Sequence, residues 1–166
     1  MIKTAVITLS DKGSRGLRED KTGEILIDFI KKNNNYEVVH YEMLPDDFEQ
    51  IKSKLIELSD NSIADLIITN GGTGFSKRDV TPEATLAVIE REAQGVAEYM
   101  RYKSFEITPK AMGSRARCGI RKNSVILNLP GSPKGALENL SFVIDALVHS
   151  IEILKGEAGE CATPLK

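Results

Sequence analysis

The chain has 166 residues, with 22 Lys and Arg against 24 Asp and Glu, 2 His, 2 Cys and no Trp. That length predicts one domain able to bury a core without covalent staples. A net charge of −2 and a pI near 5.8 argue against a broad basic face for nucleic acid. Cys118 and Cys161 are too few for a disulfide framework, and with only His40 and His149 beside them a Cys/His zinc site is also disfavoured. No stretch approaches the roughly 20 apolar residues that span a bilayer, and the opening run is too short for a secretory signal. The expectation is a soluble cytoplasmic chain with no membrane and no nucleic-acid partner.

In chain order, the β-branched run Ile2 to Leu9 predicts a strand buried on both faces. A polar loop covers 10–20. Ile25, Leu26, Phe29 and Ile30 recur at helical spacing, and Asn33-Asn34-Asn35 ends that helix. Tyr36 to Met43 reads as a second strand and Leu44-Pro45-Asp46-Asp47 as a turn. Phe48, Ile51, Leu55, Ile56 and Leu58 mark a second helix, with Asp47 as its cap. Leu66 to Thr69 is a third buried strand, running into a glycine-rich loop. Thr81-Pro82-Glu83 predicts a helix start with Thr81 as N-cap, and Leu86, Val88 and Ile89 give it an apolar side. A further helix is expected over Val96 to Phe105. Cys118 to Arg121 and Val125 to Leu129 predict a hairpin. Ser132-Pro133 then caps a long helix with apolar positions from Leu137 to Leu154.

Strand–helix alternation over the first 90 or so residues predicts an α/β fold with a mostly parallel sheet. Ligands of such sheets sit outside the carboxyl ends of the strands. The loops 10–20, 44–47, 70–81 and 130–133 all belong to that edge.

Gly71, Gly72 and Gly74 around Thr73 permit close backbone approach, and their N–H groups can form an anion nest. Lys77 and Arg78 add positive charge. A phosphate or pyrophosphate is the natural guest, although a tight strand-to-helix turn with solvated charges accounts for the same residues. The spacing is neither that of a P-loop nor that of a dinucleotide fingerprint. Pro130-Gly131-Ser132-Pro133-Lys134 sets a second helix N-terminus at the same edge. Asp46 and Asp79 each follow a strand. Paired carboxylates beside phosphates suit magnesium, which takes one or two carboxylates plus phosphate and water oxygens. Either aspartate also serves as an ordinary turn former. Ser10-Asp11 ends the first strand, and Ser114-Arg115 opens the most basic stretch.

The stretch Asn70-Gly71-Gly72-Thr73-Gly74-Phe75-Ser76-Lys77-Arg78-Asp79-Val80-Thr81-Pro82-Glu83 resembles the signature of the molybdenum-cofactor biosynthesis family of MogA and MoaB type, which includes the plant and gephyrin G-domains. Ile7 to Asp11, Leu44-Pro45-Asp46, Ser114-Arg115 and Leu127 to Pro133 agree with it in the same order. The likeness covers about residues 1–156 as one domain, leaving 157–166 as a tail. It implies a three-layer sandwich with helices on both faces of the sheet, commonly a homotrimer. It implies molybdopterin adenylyltransferase activity, in which AMP passes from Mg-ATP to the molybdopterin phosphate and pyrophosphate leaves. A molybdate-insertion protein would receive the product. The resemblance makes Asp46 and Asp79 catalytic and magnesium-organising. It places Ser10, Asp11, Gly71, Gly72, Thr73, Gly74, Ser114, Arg115, Pro130, Gly131, Ser132 and Lys134 around the pterin and nucleotide. Asn70 stands where the family usually has Thr. The complete Lys77 to Pro82 wording favours the MogA-type activity over a non-catalytic, MoaB-like molybdopterin-binding or scaffold protein. An enzyme of this fold acting on another phosphorylated ligand is the third reading.

Overall fold

The computed structural model describes residues 1–157; most of the expected tail, with Cys161, lies outside the described residues. A six-stranded sheet has the order β2-β1-β3-β6-β5-β4. β1 (Ile2–Leu9), β2 (Tyr36–Leu44), β3 (Leu66–Asn70) and β6 (Ser124–Leu129) are parallel neighbours, while β5 (Cys118–Arg121) and β4 (Arg91–Glu92) extend the sheet antiparallel. The helices are α1 (Asp11–Ser14), α2 (Lys21–Lys31), α3 (Phe48–Asp60), α4 (Thr81–Leu86), α5 (Gln94–Phe105) and α6 (Pro133–Lys155), with a 3₁₀ segment at Pro109–Gly113.

The buried runs sort onto opposite faces because strand side chains alternate. Val6, Ile68 and Leu127 join a cluster with Leu26 and Ile30 of α2, Met100 of α5 and Leu140, Ile144 and Leu147 of α6. Ile7, Ile67 and Ile126 join the other, with Ile51, Leu55 and Leu58 of α3 and Ala84 of α4. The result is the expected three-layer α/β sandwich. Each fully buried Leu or Ile contributes about 1.5–3 kcal/mol, so the central strands are held from both sides.

β1 leads to α2 on one face, whereas β3 leads to α4 on the other. This divergence between adjacent parallel strands opens a crevice at their carboxyl ends, which is where the chemistry-bearing loops lie.

The local differences from the expectation have physical causes. The polar loop after β1 contains the single turn α1, because the Ser10 hydroxyl accepts from the Gly13 amide and nucleates it. α4 begins at Thr81, but Val80 holds its N-cap position without a side-chain cap bond; the Thr81 hydroxyl donates to Gly71 O instead. Leu86 of α4 is exposed, while Val88 just beyond it is buried. The hairpin turns on Lys122-Asn123, because Ser124 already pairs with Arg121. β4 was not anticipated, since two exposed residues leave no hydrophobic pattern.

Candidate active site

β3 delivers the glycine loop directly onto β1. The Gly71 amide donates to Leu129 O at 3.1 Å, and Gly71 and Gly72 adopt φ of +104° and +64°. A Cβ on Gly71 would lie 2.4 Å from Leu9 O, and one on Gly72 would lie 2.4 Å from Thr81 Oγ1 and 3.1 Å from Asp46 Oδ1. Glycine is therefore required twice, for backbone sign and for space. Thr81 braces the loop from α4, its hydroxyl donating to Gly71 O at 2.9 Å and its amide to Gly72 O at 3.2 Å. Gly131 packs backbone to backbone on this loop: a Cβ there would sit 3.3 Å from Gly71 Cα. Thr22 of α2 secures it by donating to Gly131 O at 2.9 Å. The buried Asn70 donates to Thr8 Oγ1 at 2.9 Å, tying the loop entrance to β1.

The carboxylates stand along this ridge. Asp47 caps α3 by accepting from the Gln50 amide at 2.9 Å, which frees Asp46 to turn toward the loop. Asp46 Oδ2 accepts from the Asp11 amide and Asp11 Oδ1 accepts from the Asp46 amide. Arg78 grips Asp11 in a bidentate pair of 2.8 and 2.9 Å. That ion pair holds the Asp11 carboxyl below its usual range, the hydrogen bond to Arg78 being the largest cause. Asp46 moves the other way: burial raises its pKa, and the charges of Asp11 and Asp79 add to the rise, against the Asp11 amide and Arg78. Asp79 Oδ2 accepts from the Ser76 amide at 3.0 Å. A Cβ on Gly74 would come within 2.9 Å of Asp79 Oδ2, so the loop backbone passes close under this carboxylate.

The other expected site residues fall into different roles. Arg115 is occupied by the protein itself: it donates to Gly74 O and Asp79 O, both at 2.7 Å, and pairs with Glu83. Its own amide donates to Thr73 O at 2.9 Å. This side chain clamps the glycine loop rather than projecting as a free cation. Ser132 caps α6 by accepting from the Gly135 amide at 3.2 Å. Lys134 is exposed and lies 3.8 Å from Glu138.

Two cavities flank the ridge. The larger, about 710 Å³, is lined by Ser10, Asp46, Gly71 and Asp20 among others. The smaller, about 480 Å³, is lined by Thr73, Gly74, Ser114, Pro130, Ser104 and Asn139 among others. Gly72, Asp79, Gly131 and Ser132 line both. Asp11, Arg115 and Lys134 line neither. Volumes of this size suit small-molecule ligands, and the backbone-rich divider suits phosphate oxygens. Sequence reading missed Thr22 and Thr81 as braces, and Arg101, which lines the smaller cavity from α5. A periodic apolar pattern carries no signal for any of them.

Among the described residues no cluster of three His, Cys, Asp or Glu could enclose a metal ion. The pair Asp46 and Asp79 nevertheless fits magnesium. Both groups are hard oxygen donors that line the larger cavity, and the charge of Asp79 adds to the cost of ionising Asp46, a cost that a bound cation relieves. The remaining coordination positions would fall to phosphate and water oxygens.

The model of a probable molybdopterin binding domain matches residues 5–149. A molybdopterin adenylyltransferase of Helicobacter pylori is 37% identical over 159 residues, 93% of this chain and 89% of the relative. The Escherichia coli K12 molybdopterin adenylyltransferase is 39% identical over 156 residues, 90% of this chain and 80% of the relative. A crystal structure of the molybdopterin biosynthesis enzyme MoaB from Thermus thermophilus superposes with a TM-score of 0.89 at 42% identity, covering 96% of this chain and 100% of that one.

Proposed function

The chain belongs to the family of probable molybdopterin binding domains, and on that premise we propose that it is a molybdopterin adenylyltransferase. The observation that carries the reading is the position of Asp46 and Asp79 beside a glycine divider shared by two cavities. Two substrates must meet in this reaction, and two adjoining cavities with a common backbone wall supply the arrangement.

An oxygen of the molybdopterin phosphate attacks the α-phosphorus of ATP. The new P–O bond forms as the bond to the β-phosphate bridge breaks, and pyrophosphate leaves with the electron pair. Catalysis of this kind rests on positioning and charge stabilisation. The divider at Gly72 and Gly131 carries no side chain, so phosphates can approach main-chain N–H groups closely. Thr81, Thr22 and Arg115 keep that backbone rigid through the bonds described above. Asp11 and Arg78 fix the Asp46 carboxylate in place. Magnesium, held by Asp46 and Asp79, would neutralise phosphate charge and stabilise the leaving pyrophosphate.

The wider reading is a cytoplasmic homotrimer that passes adenylylated molybdopterin to a molybdate-insertion protein. Among the described residues no helix is long and apolar enough to cross a membrane. The exposed Tyr99, Tyr102 and Phe105 of α5, with Ile107 beyond it, support self-association.

The test is pyrophosphate release by purified protein. It should require ATP, magnesium and molybdopterin together and stop on chelation. Protein that binds molybdopterin and ATP yet forms no adenylylated product would be the non-catalytic binding protein instead.

A further inference from the structure

Arg101 projects from α5 into a partly buried setting, where its Nη1 donates to Ala116 O at 2.8 Å. That carbonyl follows Ser114-Arg115 in the chain, so the guanidinium is anchored beside the wall that closes the smaller cavity. Arg101 lines this 480 Å³ cavity and also an adjoining one of about 250 Å³, whose other walls include Ser114, Arg115 and Arg117.

The neighbouring arginines are neutralised within the chain. Arg115 pairs with Glu83, Arg117 with Glu92 at 2.9 Å, and Arg78 with Asp11. Arg101 differs. Among the described residues no carboxylate lies within ion-pair distance of it, and Ala116 O is its hydrogen-bond acceptor. Glu98 acts on it only at longer range, while burial and the charge of Arg117 both disfavour its cation. Glu138, in the same cavity lining, is next to Lys134.

A half-buried guanidinium with spare donors and a repelling cationic neighbour is costly unless an anion offsets it. The cavity that Arg101 lines is bounded also by Asp79 and by Gly72 and Gly131 of the glycine divider. Its remaining polar wall offers donors of the kind that accompany an anion, namely Ser104, Thr108, Lys110 and Ser114.

We propose that Arg101 binds a phosphate group of one of the two substrates in the smaller cavity, and so sets the affinity and orientation of that substrate without taking part in the chemical step. The proposal rests on the adenylyltransferase reading for the identity of the ligands. The chemistry is shared by ATP and molybdopterin, and the experiment separates them.

The dissociation constants of Mg-ATP and of molybdopterin are measured by calorimetry for the wild type, Arg101→Gln and Arg101→Lys. Arg101→Gln keeps an N–H donor for Ala116 O but removes the charge; unchanged thermal melting confirms that it folds. The expected result is at least a tenfold weakening of one ligand in Arg101→Gln, about 1.4 kcal/mol, with partial recovery in Arg101→Lys. The ligand that weakens names the occupant. Both constants within twofold of wild type overturn the proposal. A wild type that binds both ligands but makes no product overturns the functional reading alone, because the binding constants still decide the role of Arg101.

Discussion

Asp11 and Asp46 hold each other by reciprocal hydrogen bonds, each backbone amide donating to the other's carboxylate at 3.1 Å. The two residues are 35 positions apart and follow adjacent strands, so the exchange pins the segments after β1 and β2 together. Arg78 then anchors the outer side of Asp11. In the proposed mechanism Asp11 is a positioning residue, acting through Asp46. Arg78→Ala and Asp11→Asn should each lower kcat a few-fold with little change in KM, because an exposed ion pair is worth little by itself. Asp11→Ala, which also removes the acceptor for the Asp46 amide, should lower kcat about tenfold or more. Steady-state kinetics on the three variants checks the order.

Asp79→Asn and Asp46→Asn should each reduce turnover by roughly 100-fold or more, the usual scale for removing one charge-stabilising group. Circular dichroism should show an unaltered fold. Activity equal to wild type in either variant removes that carboxylate from the mechanism.

The raised pKa of Asp46 makes a separate prediction for stability in metal-free protein. A carboxyl whose folded pKa lies above its unfolded value of about 3.9 is harder to ionise in the native state. Its penalty is absent in acid, grows as pH rises through the interval between the two values, and is constant above it. Asp46→Asn should therefore melt at a higher temperature than wild type at pH 7, with the gap closing toward pH 3 or so. Magnesium should raise the melting temperature of wild type more than that of the variant. Calorimetric scans across pH, with and without the ion, measure both effects.

Gly71→Ala and Gly72→Ala should be destabilising by more than about 1 kcal/mol, since each combines a positive φ with a Cβ at 2.4 Å from another atom. Gly71→Ala is the more damaging, because it meets the backbone oxygen of Leu9. Gly72→Ala meets the side-chain hydroxyl of Thr81 rather than backbone, and should keep its fold better while losing activity. Denaturant midpoints and kcat/KM separate the two outcomes.

Arg115→Ala should release the glycine loop. Three guanidinium contacts and their geometry disappear, so amide exchange across 73–79 should speed up while the central strands keep their protection. Arg115→Lys should not restore it, since a point-charge ammonium cannot serve Gly74 O, Asp79 O and Glu83 in one planar fork. Exchange read by mass spectrometry distinguishes this clamp from a ligand contact, which would leave the ligand-free loop unchanged.

The central strands were legible because β1, β3 and β6 are continuous β-branched and aliphatic runs, and such runs fit strands covered on both faces. The convergence of the four loops followed from the parallel sheet they leave. Roles within the loops were not legible in the same way. Arg115 and Lys134 read alike as basic residues beside phosphate turns, yet one is bonded to the carbonyls of Gly74 and Asp79 and the other is exposed on α6. Thr81 read as a helix cap because its neighbours are Pro82 and Glu83, but a contact to Gly71, ten residues back, takes its hydroxyl. Asp11 and Arg78 meet across 67 residues. Such pairings depend on the folded path of the chain, and no local pattern announces them.

The wall common to both cavities has a consequence for what happens after bond formation. Gly72, Asp79, Gly131 and Ser132 border both spaces, so a molecule made by joining one occupant to the other has a foothold on each side. When one half lets go, the other keeps it at high local concentration, and rebinding outruns escape. The linked molecule should therefore leave far more slowly than either precursor. A site built in this way is expected to retain the linked molecule rather than release it quickly into bulk water.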